Sequence, residues 1–112
     1  MDCIFCKIAK GEITSHKVYE DEDVIAFHDL DPKAPTHVLI IPKKHIESAM
    51  DIDQHNSALI GRIYEVAVKL AVQLGLDKGF RIVNNCGEDG GQTVQHIHFH
   101  LLGGRSMAWP PG

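Results

Sequence analysis

The stretch Gln95-His96-Ile97-His98-Phe99-His100-Leu101-Leu102 sets three histidines in alternation with apolar residues. Alternation at period two is the pattern of a strand, which projects His96, His98 and His100 from one face and Ile97, Phe99 and Leu101 from the other. The apolar face belongs in a core, and the histidine face is left for chemistry. Side chains two residues apart on a strand stand roughly 6.5–7 Å apart, so neighbouring imidazoles can share a small ligand or exchange hydrogen bonds through their ring nitrogens. Adjacent imidazolium charges repel, so near neutral pH at least one ring is expected to be neutral, as nucleophile, base or ligand. Metal binding is the rival reading, since strand-alternating histidines also hold zinc.

The 112 residues make one domain, 1–112, small enough to bury only roughly 60–68% of its unfolded surface. A helix face or a strand edge left open by so small a fold calls for a partner subunit. An apolar fraction of 44% and a charged fraction of 23% are those of a soluble globular protein. No apolar run nears the ~20 residues of a membrane span, and no charged segment leads into one, so neither membrane nor export signal is expected. Three cysteines, an odd number, without an export signal argue for free thiols in a reducing cytoplasm. The formal net charge of -4 argues against a nucleic-acid polymer as partner, because backbone affinity needs clustered Lys and Arg. A single nucleotide needs only local donors and stays open.

Along the chain, Asp2 can cap a short helix from Cys3 to about Lys10 that ends at Gly11. Cys3 and Cys6 have metal-binding Cys-x-x-Cys spacing but make only half of a tetrahedral site. Lys17 to Glu20 and Asp23 to Asp29 read as a hairpin about the acidic turn Asp21-Glu22, and the prolines of Asp31 to Pro35 then break the chain. Thr36 to Pro42, with Val38-Leu39-Ile40-Ile41, reads as a central strand opened by His37. The longest helix runs from roughly Asp53 to Leu74, and Gly75 caps it. Its main stripe faces the sheet, while Ala58, Tyr64, Val68 and Val72 extend the apolar surface around the cylinder and predict burial against a second subunit. Gly79 to Asn84 is a fourth strand, and the histidine stretch is the fifth. Between them Gly87, Gly90 and Gly91 allow backbone amides to approach an anion, with Asn85, Gln92 and Thr93 as further donors. The fold class is therefore α+β: a five-stranded antiparallel sheet with one long and one short helix.

The run His96-Ile97-His98-Phe99-His100-Leu101-Leu102 resembles the histidine triad (HIT) motif. Cys3 to Glu12, Ala26 to Asp29, Ala34 to His37, Ile41 to Ile46, Asn85, Gly90 to Thr93 and Trp109-Pro110-Pro111-Gly112 are similar to the nucleotide-binding phosphoramidases of the Hint branch. That resemblance covers nearly the whole chain. It implies a HIT-like fold and a homodimer in which the long helix lies at the two-fold axis and the sheet continues across it. It makes His98 the nucleophile and His100 the donor to the phosphate oxygens, with His37 and His96 fixing tautomers. Asp29 would accept from the ribose hydroxyls, Phe27 and Leu30 would line the nucleoside pocket, and Ile4, Phe5 and Ile13 would pack around the base. Phosphate would sit against Asn85, Gly91, Gln92 and Thr93; relatives commonly carry serine at the last position. Trp109 would reach the partner's site. His45 and His96 would complete a structural zinc site with Cys3 and Cys6.

The chemistry expected of this face is attack by an imidazole on a nucleotide α-phosphate, giving a nucleotidyl-histidine that water cleaves. An amine leaving group suits a nearby proton donor. The resulting expectation is a purine nucleoside phosphoramidase acting on adenosine or guanosine monophosphoramidates, with no cofactor required for catalysis. A nucleotide-binding scaffold, a catalytic metal on all three triad histidines, and a nucleotidyltransferase are the alternatives.

Overall fold

A computed structural model describes residues 3–112. A short helix α1 (Ile4–Ala9) is followed by strands β1 (Lys17–Glu20), β2 (Val24–His28) and β3 (Thr36–Pro42). A single 3-10 turn at Ala49–Asp51 leads to the long helix α2 (Ser57–Gln73), then to β4 (Phe80–Val83) and β5 (Phe99–Gly103). The strands form one antiparallel sheet in the order β1-β2-β3-β5-β4, so the apolar run of β3 is central, as its composition demands.

Alternation along the strands divides the core between the two faces of the sheet. Val24, Ala26, Val38, Ile40, Ile97, Phe99 and Leu101 point to the face covered by α2, which buries Ile63, Val66, Ala67, Leu70 and Ala71 there. Ile25, Phe27, Leu39 and Ile41 point the other way, where Cys3, Phe5 and Ile8 of the α1 region cover them. Each fully buried Ile or Leu contributes about 1.5–3 kcal/mol, so α2 is held by its stripe rather than by intrinsic propensity. A flank of α2 leaves Tyr64, Val68 and Val72 exposed, with the Tyr64 ring edge-on to the buried Phe99 at 5.8 Å between centroids. No helix among the described residues is long and apolar enough to cross a membrane.

Three boundaries differ from the sequence expectation, each for a local reason. Asp2, expected to cap the first helix, lies outside the described residues; the cap observed is Cys3, whose Sγ accepts the Cys6 N–H at 3.3 Å. Helix α2 starts at Ser57 because residues 53–56 close on themselves: Asp53 Oδ1 accepts the His55 N–H at 2.8 Å and Asn56 Oδ1 accepts the Asp53 N–H at 2.9 Å. Such short polar side chains offer the backbone a turn in place of a helix. The third difference concerns the histidine stretch. Its ladder with β3 begins only at the pair Ile40 and Phe99. Before it, the backbone groups have other partners: the Ile97 N–H goes to Ile46 O at 2.6 Å, His98 O accepts from Asn84 Nδ2 at 2.9 Å, and His96 O accepts from the His98 ring at 2.8 Å. Residues 95–98 are thus a bent lead-in that keeps the strand's alternation without its pairing.

Candidate active site

The lead-in separates the three histidines into two jobs. His96 is fully buried and turns its Nδ1 toward Cys3 Sγ at 3.3 Å, Cys6 Sγ at 3.6 Å and His45 Nδ1 at 3.2 Å. Cys6 Sγ also lies 3.3 Å from His45 Nδ1. On the far side of the ring, Nε2 is 2.8 Å from Pro42 O. A carbonyl can only accept, so Nε2 carries the proton and Nδ1 presents a lone pair to the sulfurs. Two thiols and two ring nitrogens then converge, their donor atoms all within 4.8 Å of one another. Tetrahedral zinc with Zn–S near 2.3 Å and Zn–N near 2.0–2.1 Å sets its donors roughly 3.3–3.8 Å apart, which matches this cluster. Burial, reinforced by Cys3, pushes the Cys6 thiol above its ordinary range, and burial pulls the His96 imidazole below its own. A cation would satisfy both.

His98 and His100 face each other on the same side of the sheet, ring centroids 5.3 Å apart. The His98 Nδ1–H donates to His96 O at 2.8 Å, which leaves Nε2 with the free lone pair. Phe5 of α1 stands edge-on to His98 at 5.1 Å between centroids, to His96 at 5.9 Å and to Phe27 at 5.8 Å. Asn84, absent from the sequence expectation, holds the His98 carbonyl through its side-chain amide. Its only sequence signal was a polar residue ending β4.

A second proton order runs through His37 and His100. The Lys33 N–H donates to His37 Nδ1 at 3.0 Å, so His37 carries its proton on Nε2 and donates it to His100 Nδ1 at 2.9 Å. His100 is left with an Nε2–H donor. Burial, together with the nearby His98 and His37 rings, pulls the His100 imidazole down to about 4. Burial lowers His37 as well, against the pull of Asp29, whose Oδ2 lies 3.5 Å from His37 Nε2. Both rings are therefore neutral at neutral pH. The other oxygen of Asp29 accepts the Asp31 N–H at 2.7 Å.

The glycine loop before the lead-in is braced from within. Asn85 Nδ2 donates to Gly90 O at 2.6 Å, the Gly91 N–H to Glu88 O at 3.0 Å, and Gln92 takes the Gly87 N–H on Oε1 while giving both its own N–H groups to Glu47 O and Val94 O. Gln92 thus shapes the loop instead of offering a spare donor. A Cβ at Gly90 would stand 2.2 Å from Cys86 O, and Gly91 has φ of 78°, so glycine is required at both. Thr93 and Ile4 border a cleft beside the Cys/His tetrad. Phe5 and Phe27 are buried, whereas Ile4 and Ile13 are partly open and Leu30 is 90% exposed. Trp109 is 83% exposed, on a tail held by Arg81 through Ala108 O at 2.7 Å and Pro111 O at 3.4 Å.

The catalytic-metal alternative needs His96, His98 and His100 to converge, and they do not. Among the described residues the metal-capable groups are the tetrad and a trio of Asp29, His37 and His100, and His98 belongs to neither.

Comparison with known proteins gives a consistent answer. The family model described as HIT domain matches residues 10–107. The chain is 54% identical to a HIT family hydrolase from Legionella pneumophila, with TM-score 0.97 over 99% of this chain and 100% of that one. A histidine triad nucleotide-binding protein from Candida albicans is 38% identical, with TM-score 0.83 over 97% of this chain and 83% of its own. A Zea mays protein named 14 kDa zinc-binding protein is 50% identical over 97% of this chain and 87% of its own length.

Proposed function

The chain belongs to the HIT domain family, and on that footing we propose that it is a purine nucleoside phosphoramidase. It cleaves the P–N bond of adenosine or guanosine 5'-monophosphoramidates through a nucleotidyl-His98 intermediate. The observation that carries this reading is the pair of proton orders: His98 is fixed with Nε2 unprotonated, beside a His100 fixed with Nε2 protonated.

In the first step the His98 Nε2 lone pair attacks the α-phosphorus and the P–N bond breaks. The leaving nitrogen takes up a proton from solvent, which the attacking water of the second step gives back, and departs as the free amine. The charge that develops on the His98 ring is met by His96 O at its Nδ1–H. His100 Nε2–H donates to a non-bridging phosphate oxygen, and Asn85, Gly91, Gln92 and Thr93 form the wall of the phosphate site, Gln92 by shaping the loop. Water then attacks the same phosphorus, releases the nucleoside monophosphate and regenerates His98. Neutral His37 and His100 suit this cycle because neither repels the ring that becomes charged.

Asp29 accepts from the ribose hydroxyls, Phe27 and Leu30 line the nucleoside, and Phe5, Ile4 and Ile13 surround the base. The exposed apolar face of α2, Tyr64, Val68 and Val72, supports a homodimer, in which Trp109 reaches the partner's site. Cys3, Cys6, His45 and His96 hold a structural zinc, a reading supported by the name of the maize relative. Zinc there cross-links α1 to the chain around His45 and to the lead-in of β5, and catalysis itself requires no cofactor. Three free thiols fit a reducing cytoplasm.

Turnover of adenosine 5'-monophosphoramidate tests the proposal. His98→Ala is expected to lower kcat by at least about three orders of magnitude while adenosine monophosphate still binds. Undiminished turnover in that variant would dispose of the nucleophile.

A further inference from the structure

We infer that Arg105 is a positioning residue for the paired imidazoles: by holding the Lys33 carbonyl it keeps the Lys33 N–H on His37 Nδ1, and so decides whether His100 faces the phosphate with a proton. This rests on the reading of His100 as donor to the phosphate oxygens.

Lys33 lies in the irregular segment 29–35 between β2 and β3. The Asp29 N–H ties the start of the segment to His37 O at 2.9 Å, while the Asp31 N–H and the Lys33 ammonium bond within the segment itself, to Asp29 Oδ1 and to Asp31. Ala34 is buried, and Pro35 lies against Gly104, where a Cβ would stand 2.9 Å from Pro35 Cβ. Those apolar contacts seat the segment without aiming its peptide groups. The aim comes from Lys33, whose N–H donates to His37 Nδ1 at 3.0 Å and whose carbonyl accepts from Arg105 Nε at 3.3 Å and Nη2 at 3.1 Å. A third N–H of Arg105 goes to Ser106 O at 3.2 Å, and among the described residues the side chain forms no ion pair. A guanidinium that spends its donors on carbonyls alone acts through the geometry of its fork.

The tautomer of a histidine is set by the partner of its other nitrogen. With the Lys33 N–H on Nδ1, His37 carries its proton on Nε2, donates it to His100 Nδ1 at 2.9 Å and leaves His100 an Nε2–H for a phosphate oxygen. Without that amide, His37 is free to carry its proton on Nδ1. The shared bond then reverses: His100 donates from Nδ1, and its Nε2 meets the phosphate with a lone pair. Asp29 Oδ2, 3.5 Å from His37 Nε2, favours the first arrangement. Once Asp29 accepts from the ribose hydroxyls, its hold on His37 weakens and the Lys33 amide is the selector that remains. Losing Arg105 should therefore mix the two arrangements, most of all with nucleotide bound.

The test is imidazole nitrogen NMR of the wild-type chain, Arg105→Ala, Arg105→Lys and Lys33→Pro, free and with adenosine monophosphate, beside turnover of adenosine 5'-monophosphoramidate. The wild-type chain should show Nδ1 bare and Nε2 protonated on both His37 and His100. Arg105→Ala should show a mixture on both rings, with kcat/KM lowered roughly tenfold, the effect of about one hydrogen bond from a charged donor. Arg105→Lys, which can still give one bond to Lys33 O, should fall between. Lys33→Pro deletes the N–H itself, so adding Arg105→Ala to it should cost no further activity. Arg105 is exposed, so its variants should keep the wild-type circular dichroism, and they decide the question should Lys33→Pro fail to fold. Wild-type tautomers in a folded Arg105→Ala or Lys33→Pro chain overturn the inference, and so does a full additional loss in the double variant. Mixed tautomers in a chain that turns over no phosphoramidate uphold it and remove the phosphoramidase instead.

Discussion

At His98 the backbone decides which ring nitrogen is free, and the side chains around it only reinforce the choice. Asn84→Ala removes the amide that holds the His98 carbonyl and should cost about 1 kcal/mol in urea denaturation, with kcat reduced more than KM raised. An unchanged kcat would mean that the carbonyl keeps its place unaided. His100 makes a prediction with pH. Burial first, then the neighbouring imidazoles, bring it from 6.5 in the unfolded chain to about 4 in the folded one. Between those values the unfolded state binds the extra proton, so the stability this ring permits is fully present above 6.5 and is lost as pH falls through about 4. Proton NMR should find the His100 ring neutral at about pH 5.5, a point at which an ordinary histidine is mostly charged. The alternation of the triad was visible in the chain. Its division was not: nothing in the spacing of His96 and His98 reveals that one ring faces sulfur and the other faces an imidazole, because that depends on the contacts of Pro42 O and His96 O.

Single elements hold the site's frame. Asp21, in the turn between β1 and β2, accepts from Tyr19 Oη at 2.7 Å and from the Asp23 and Val24 N–H groups at 2.8 and 2.9 Å, and it pairs with Arg62 of α2. Burial alone would raise its carboxyl; these donors prevail and hold it at about 2. Asp21→Asn should therefore destabilise the chain by about 1–3 kcal/mol at neutral pH. Since the folded pKa is depressed, that advantage is present above the unfolded value of 3.8 and is lost as pH falls through about 2, so the mutant and wild-type curves should converge in acid. In the glycine loop, Gly90→Ala drives a Cβ into backbone atoms of Cys86 that cannot yield, and a cost of about 1–3 kcal/mol with weakened nucleotide binding is expected by thermal melting and titration. Both helices, all five strands and their types were legible from periodicity and punctuation. The ends were less so. The Asx turns of residues 53–56 and the unpaired lead-in arise from hydrogen bonds that a pattern of apolar residues does not encode.

For the whole molecule, the sheet separates structure from chemistry: α2 and its core lie on one face, and α1, the tetrad and the paired imidazoles lie on the other. The unburied stripe of α2 is the signal for a proposed second copy, because folding one small chain does not cover it. Val68→Glu combined with Val72→Glu should yield a monomer by sedimentation, whereas a wild-type chain that sediments as a monomer at high concentration would remove the dimer. That surface was readable as a helix too apolar for one interface, and the stripe that the spacing turned toward the sheet, Ile63, Val66, Ala67, Leu70 and Ala71 among it, is the one α2 buries. The central claim, a nucleophilic His98, is tested most directly by acid-quenching the enzyme within its first turnover of adenosine 5'-monophosphoramidate and mapping the protein by peptide mass. An adenylyl group on the peptide at His98, formed before amine and nucleotide reach steady state, is the predicted result. Turnover with no adduct, or with the adduct on another residue, would contradict it.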